Sequence, residues 1–207
     1  MLILDLDDTI FKTNSMKAEI FEPAVLLIQG YFEKEYGEEK ASEVIEELWK
    51  FPFDSIAQKY HIPQNIQIDF FKTLDEIDYQ LNISTFEDYP QLKQLKKRKI
   101  LVTTGFKKLQ QAKIKALKIE GDFEAIFIDD PREKDRAFKK GIFEKILAKE
   151  KLQPEEVWVI GDNPDSELKA GKALGMNTIQ RLKRKDSKAK NADYTIETFK
   201  ELEMIIK

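Results

Sequence analysis

Four short apolar runs rich in branched residues, LILDL (2–6), ILVT (100–103), AIFI (125–128) and VWVI (157–160), constrain the fold of this chain more than any other feature. Runs this short, with little polar alternation, suit strands buried on both faces of a parallel sheet. The segments between them have a helical pattern instead. Lys107–Lys118 brings Leu109, Ala112 and Ala116 onto one face, and Phe138–Lys149 does the same with Ile142, Phe143, Ile146 and Leu147. This alternation predicts an α/β fold with a doubly wound parallel sheet, continued by NTIQ (177–180) and YTI (194–196) and closed by a helix near Glu197–Ile206.

Residues 13–88 break the rhythm. They contain helix-like stretches over Ser15–Tyr36, Ala41–Trp49 and Ile66–Leu81, with no convincing central strand. Pro23, Gly37, Pro52 and Pro63 fall at or near the expected helix ends, and Pro90 marks the return to the sheet. The expected organisation is an α/β core of residues 1–12 and 89–207, with a helical domain, 13–88, inserted after the first strand. Its aromatic residues Phe51, Phe53, Phe70 and Phe71 are expected in its own interior.

Composition narrows the chemistry. Charged residues make up 35% of the 207, but the two signs nearly cancel at a formal −3, so no nucleic-acid or membrane partner is expected. The absence of cysteine excludes disulfides, thiolate catalysis and cysteine-bound zinc. The single histidine, His61, excludes a multi-histidine metal centre within one chain and is expected to be an ordinary structural or surface residue. The apolar opening is too short to span a membrane and lacks the basic start of a secretory signal, so a cytoplasmic protein is expected. The basic stretch RLKRKDSKAK (181–190) is expected to be a solvated loop.

In an open parallel sheet, ligands bind beyond the carboxyl ends of the strands. Asp5, Asp7 and Asp8 end the first strand, Thr103, Thr104 and Gly105 the second, and Gly161, Asp162 and Asn163 follow VWVI. Asp5 and Asp7, two residues apart, would share a direction if the strand continued. Carboxylates held close raise one another's pKa unless a cation or hydrogen-bond donors offset the repulsion. With Asp162 as a third member, the oxygen-only set suits Mg²⁺. Such an ion would also neutralise charge on a phosphoryl group facing an anionic nucleophile.

The pattern resembles the haloacid dehalogenase-like (HAD) superfamily of phosphatases. Asp5-Leu-Asp7-Asp8-Thr9 matches the first motif, Asp-x-Asp-x-Thr; Thr103 in ILVTTG matches the second; GDNPDSE (161–167) matches the fourth. The resemblance implies a Rossmann-like core with a helical cap, and a phosphatase acting on a small-molecule phosphate ester. It makes Asp5 the nucleophile that becomes an aspartyl phosphate and Asp7 the general acid and base. Mg²⁺ would be held by the Asp5 carboxylate, the Asp7 backbone carbonyl and Asp162. Thr103, with Thr104 and Gly105, would bind the phosphoryl oxygens.

The third motif, a lysine, falls on Lys139 or Lys140, with Lys139 favoured by its distance to Asp162 and its register before Phe143. Glu167 either approaches the metal or braces that lysine, Asp165 faces solvent, and Asp8 is a turn residue. An acid at position 7 argues against halide displacement, because the family's dehalogenases lack it there. A sugar-phosphate mutase and a non-catalytic module that binds metal or a partner remain as alternatives, and the oligomeric state is open.

Overall fold

Among the residues described by a computed structural model, 1–49, 53–182 and 188–206, six strands form one parallel sheet. They are β1 (Leu2–Leu4), β2 (Lys99–Thr104), β3 (Ala125–Asp129), β4 (Trp158–Gly161), β5 (Asn177–Arg181) and β6 (Tyr194–Ile196), in the order β3-β2-β1-β4-β5-β6. Leu4 pairs with Leu101 on one side and with Ile160 on the other. The chain therefore winds outward from β1 in both directions. The crevice at the switch point lies beyond the ends of β1 and β4.

Strand alternation divides the core between the two faces of the sheet. Leu2 and Leu4 pack with Leu101, Ile160 and Ile179, whereas Ile3 packs with Ile100, Val102 and Val159. The helices are α1 (Glu22–Tyr36), α2 (Glu38–Leu48), α3 (Phe53–Lys59), α4 (Gln64–Glu76), α5 (Tyr89–Gln94), α6 (Lys107–Leu117), α7 (Phe138–Glu150), α8 (Lys169–Ala173) and α9 (Leu202–Ile205). Ile114 and Leu117 of α6 join the first layer; Ile142, Phe143 and Ile146 of α7 join the second. Burying each such side chain contributes roughly 1.5–3 kcal/mol, which holds both helices against the sheet.

Several local expectations shift. The first helix of the insertion begins at Glu22 rather than Ser15, because Pro23 suits a first helical turn, and short 3₁₀ turns precede it at Thr13–Ser15 and Ala18–Phe21. Helix α3 was not expected. The last expected helix contracts to a 3₁₀ turn, Phe199–Glu201, started by a Thr198–Glu201 capping box, and the four residues of α9. Arg181 is no part of a solvated loop. It ends β5, is buried, donates to Asp88 Oδ1 at 2.9 Å and lies 4.2 and 4.3 Å from the rings of Phe86 and Phe199. Residues 183–187 of that basic stretch lie outside the described residues.

Contacts divide the chain into two compact units, Met1–Met16 with Leu81–Lys207, and Lys17–Gln80. The second is helical. Ile28 and Phe32 of α1, Val44 of α2, Ile56 of α3 and Leu74 of α4 are buried within it. Phe53 stacks on Phe70 at 3.8 Å, with Phe71 edge-on to Phe53 at 5.2 Å, so these rings pack against one another. Phe51 lies outside the described residues. His61 is exposed in the turn after α3. Among the described residues no helix is long and apolar enough to cross a membrane.

Candidate active site

Asp5 extends β1 by one residue, its N–H donating to the Ile160 carbonyl at 3.0 Å. That ladder bond points a buried carboxylate into the crevice. Lys139, in the first turn of α7, donates to Asp5 Oδ1 at 2.6 Å and to Glu167 Oε2 at 2.7 Å, and all three side chains are buried. Successive helical residues leave the axis in different directions, so only one of the two neighbouring lysines can turn toward the sheet. The ammonium of Lys140 is instead solvent-exposed, 3.8 Å from Glu144.

Glu167 reaches this position through the local geometry of GDNPDSE. Asn163 Oδ1 accepts from the Asp165 N–H at 2.9 Å, Pro164 opens a π-helical turn over Pro164–Leu168, and Glu167 folds back to accept from the Asn163 N–H at 2.7 Å. A glycine is required beneath it, since a Cβ at Gly161 would stand 2.2 Å from Glu167 Oε1. Gly161→Ala is therefore expected to destabilise the protein by about 1–3 kcal/mol through this overlap, measured by denaturant unfolding against wild type. Asp165, in the same turn, is exposed.

Carboxylate oxygens of Asp5, Asp162 and Glu167 lie within 4.8 Å of one another. Burial pushes the Asp5 carboxyl up to about 8, with Glu167 and Asp7 adding to the rise and Lys139 opposing it. For Lys139, burial alone would lower the ammonium, but Asp5 and Glu167 outweigh it and hold the pKa above its ordinary value. One ammonium thus meets two of three clustered carboxylates. An oxygen-only set with excess negative charge, at the rim of a crevice, fits a hard divalent cation.

Asp7 does not follow Asp5. Regular β1 ends at Leu4, so the two-residue alternation no longer holds, and the Asp7 carboxylate meets α6 instead. Its Oδ1 accepts from Lys113 Nζ at 2.7 Å and its Oδ2 from Gln110 Nε2 at 2.8 Å. Asp8 adopts a left-handed conformation, φ 53°, and its Oδ1 accepts from the Thr13 N–H at 2.9 Å, which makes it part of the turn.

Thr103 is fully buried at the end of β2, its hydroxyl oxygen accepting from Gln110 Nε2 at 2.5 Å. Thr104 and Gly105 are engaged with the neighbouring strand. The Thr104 hydroxyl donates to Asp129 Oδ2 at 3.0 Å and the Gly105 N–H to the Asp129 carbonyl at 3.1 Å. Asp129 is also held by Arg136 at 2.7 and 2.9 Å. A cavity of about 380 Å³ opens beside this group, bordered by Thr104, Arg136, Phe138, Lys139 and Ser166.

The structure therefore brings Asp5, Lys139, Asp162 and Glu167 together, sets Asp7 and Thr103 around Gln110, and turns Lys140 and Asp165 outward. Sequence reasoning missed Gln110, Lys113 and Asp129. A signal for the first two exists. The buried face of α6 is Leu109, Gln110, Lys113, Ile114 and Leu117, so two polar residues three apart interrupt an apolar stripe, while Ala112 and Ala116, expected on that face, are only half-buried.

Comparison with known proteins places this geometry in a family. The chain overlays on a HAD phosphatase from Thermococcus onnurineus with a TM-score of 0.64 at 18% identity, covering 99% of this chain and 96% of that one. It also overlays on magnesium-bound YfnB from Bacillus subtilis (TM-score 0.60, 17% identity, 99% and 97% covered). A third likeness is to L-2-haloacid dehalogenase from Xanthobacter autotrophicus (TM-score 0.59, 12% identity, 99% and 97% covered). At these identities the likeness speaks for the fold. A search of curated proteins finds no match. The family model for haloacid dehalogenase-like hydrolases matches residues 2–180, and with the motifs and the sheet order in place, the chain belongs to that family of hydrolases.

Proposed function

We propose that the protein is a Mg²⁺-dependent phosphatase that hydrolyses a small phosphomonoester through an aspartyl phosphate on Asp5. The observation that carries this reading is the division between two carboxylates of one motif. Asp5 lies in the acidic cluster against Lys139, and Asp7 is held separately by Lys113 and Gln110. A halide leaves without a proton, whereas an alkoxide needs one. A second, separately held carboxylate is what ester cleavage requires.

Asp5 and Asp162, with the Asp7 carbonyl, are the residues that would hold Mg²⁺, and Glu167 would stand beside them bracing Lys139. The bound ion supplies charge neutralisation between the nucleophile and the phosphoryl oxygens. In the first step an Asp5 carboxylate oxygen forms a bond to phosphorus as the ester P–O bond breaks, and Asp7 gives its proton to the departing oxygen. In the second, Asp7 takes a proton from water, the resulting hydroxide bonds to phosphorus, and the Asp5 carboxylate is released. Thr103, accepting from Gln110, keeps its hydroxyl hydrogen to donate to a phosphoryl oxygen. Lys139 holds Asp5 in place and offsets its charge.

We read the inserted residues 13–88 as the cap that selects the leaving group, supported by their position in the chain between β1 and β2. A small-molecule substrate agrees with the near-neutral charge.

Phosphate release from 4-nitrophenyl phosphate, set against halide release from 2-chloropropionate, tests the reading. EDTA treatment is expected to lower phosphate release by at least about 100-fold, with recovery on adding Mg²⁺, and halide release is expected to stay at background. Halide release with no phosphate release would replace this assignment by a dehalogenase.

A further inference from the structure

The least explained feature of the core unit is the polar cluster on α6. Lys113 is buried, and an ammonium in that position needs an anionic partner. It finds Asp7 Oδ1 at 2.7 Å, with the Phe11 ring 5.7 Å away. Gln110, one helical turn earlier and fully buried, places its Nε2 near three acceptors: Asp7 Oδ2 at 2.8 Å, the Thr103 hydroxyl at 2.5 Å and the Thr104 carbonyl at 3.2 Å. The amide orientation follows from two of these partners, because the reverse would set its oxygen against the Asp7 carboxylate and the Thr104 carbonyl.

Holding Gln110 this way has a cost, since its Oε1 is buried with no hydrogen-bond partner. Gly105, φ 152°, gives it room, as a Cβ there would lie 3.0 Å from Gln110 Cδ. An apolar residue would suit the stripe of Leu109, Ile114 and Leu117 better. Stability alone does not account for Gln110 and Lys113.

Each donor takes one oxygen of the same carboxylate, so together they define both its position and its rotation. We propose that Lys113 and Gln110 are positioning residues for Asp7, a clamp that aims the proton-transferring carboxylate at the departing oxygen. Gln110 also ties that aim to Thr103, so the proton carrier and the phosphoryl-binding hydroxyl share one rigid support on α6. The inference rests on the phosphatase reading given above.

The test compares kcat/KM for two esters, 4-nitrophenyl phosphate, whose leaving group departs readily unprotonated, and a simple alkyl phosphate, whose leaving group needs the proton. This parameter reports the steps through transfer to Asp5, so later hydrolysis does not enter. In Lys113→Met the alkyl-to-aryl ratio of kcat/KM is expected to fall about 30- to 100-fold, because a misplaced general acid forfeits part of its 10²–10⁴-fold contribution. A merely structural lysine would lower both substrates together and leave the ratio where it was. Gln110→Leu, which removes the other donor and the orphaned oxygen, is expected to move the ratio the same way and serves if Lys113→Met does not fold.

A ratio within about threefold of wild type in the folded variant, with wild type active on both esters, would overturn the clamp while leaving the phosphatase reading intact. Wild type inactive on both esters with Mg²⁺ present would overturn both.

Discussion

Asp5→Asn is expected to abolish phosphomonoester hydrolysis, by on the order of 10⁴-fold or more, as removal of a covalent nucleophile does. The argument is one of geometry and charge. Asp5 is the carboxylate at the end of the central strand, hydrogen-bonded through its backbone to Ile160 and through Oδ1 to Lys139. Asparagine keeps an oxygen to accept from Lys139 but has no anionic oxygen to attack phosphorus. The same substitution is expected to leave the melting temperature unchanged or raised, because burial disfavours ionised Asp5 and the neutral amide removes one negative charge from the cluster. Phosphate release and a thermal melt on one preparation check both parts. Turnover within about tenfold of wild type would remove Asp5 as nucleophile.

Lys139→Met should fail in the opposite manner, losing activity and stability together. Its ammonium is the shared donor to two buried carboxylates, Asp5 and Glu167. Removing one partner of a buried pair leaves uncompensated charge and typically costs about 3–5 kcal/mol. For a chain of this size that corresponds to a fall in melting temperature of about 10 °C. Lys140→Met, one residue away on the exposed side, should change stability by no more than about 0.5 kcal/mol and keep activity near wild type. Parallel melts and rates of the two variants decide the matter. Equal effects would mean that the bridge to Asp5 and Glu167 contributes nothing particular.

The two substitutions differ in what they leave behind. One neutralises a charge the fold holds with difficulty; the other strands charges the fold tolerates only in company. Both effects centre on one short bridge between β1, α7 and the turn after β4.

The sheet was legible in the sequence because buried parallel strands must be short apolar runs, whatever surrounds them. LILDL, ILVT, AIFI and VWVI each overlap a strand, with ends within two residues of those observed. Helix limits in the insertion were less legible. Pro23 and the 3₁₀ turns before it moved the start of α1, and α3 is a seven-residue helix, too short for a clear periodic pattern. Arg181 was misread for a related reason. A basic run looks solvated until Phe86, Phe199 and Asp88, all distant in sequence, close around its first member.

By itself the sequence determined the alternation of strands and helices, the arrival of Asp5, Thr103 and Asp162 at strand ends, and hence the one edge of the sheet on which polar groups gather. Those are consequences of local periodicity, which residue spacing carries directly. Only the tertiary structure decided that Lys139 rather than Lys140 meets Asp5, that Glu167 folds back over Gly161, and that Asp7 turns from Asp5 toward Lys113 and Gln110. The physical reason is that these groups meet partners far along the chain, 134 positions from Asp5 to Lys139 and 106 from Asp7 to Lys113, and that the fold-back of Glu167, local in itself, is answered by Lys139 28 positions earlier. Where a buried charge goes is settled by which opposite charge the fold brings within hydrogen-bonding distance, and spacing along the chain does not record that distance.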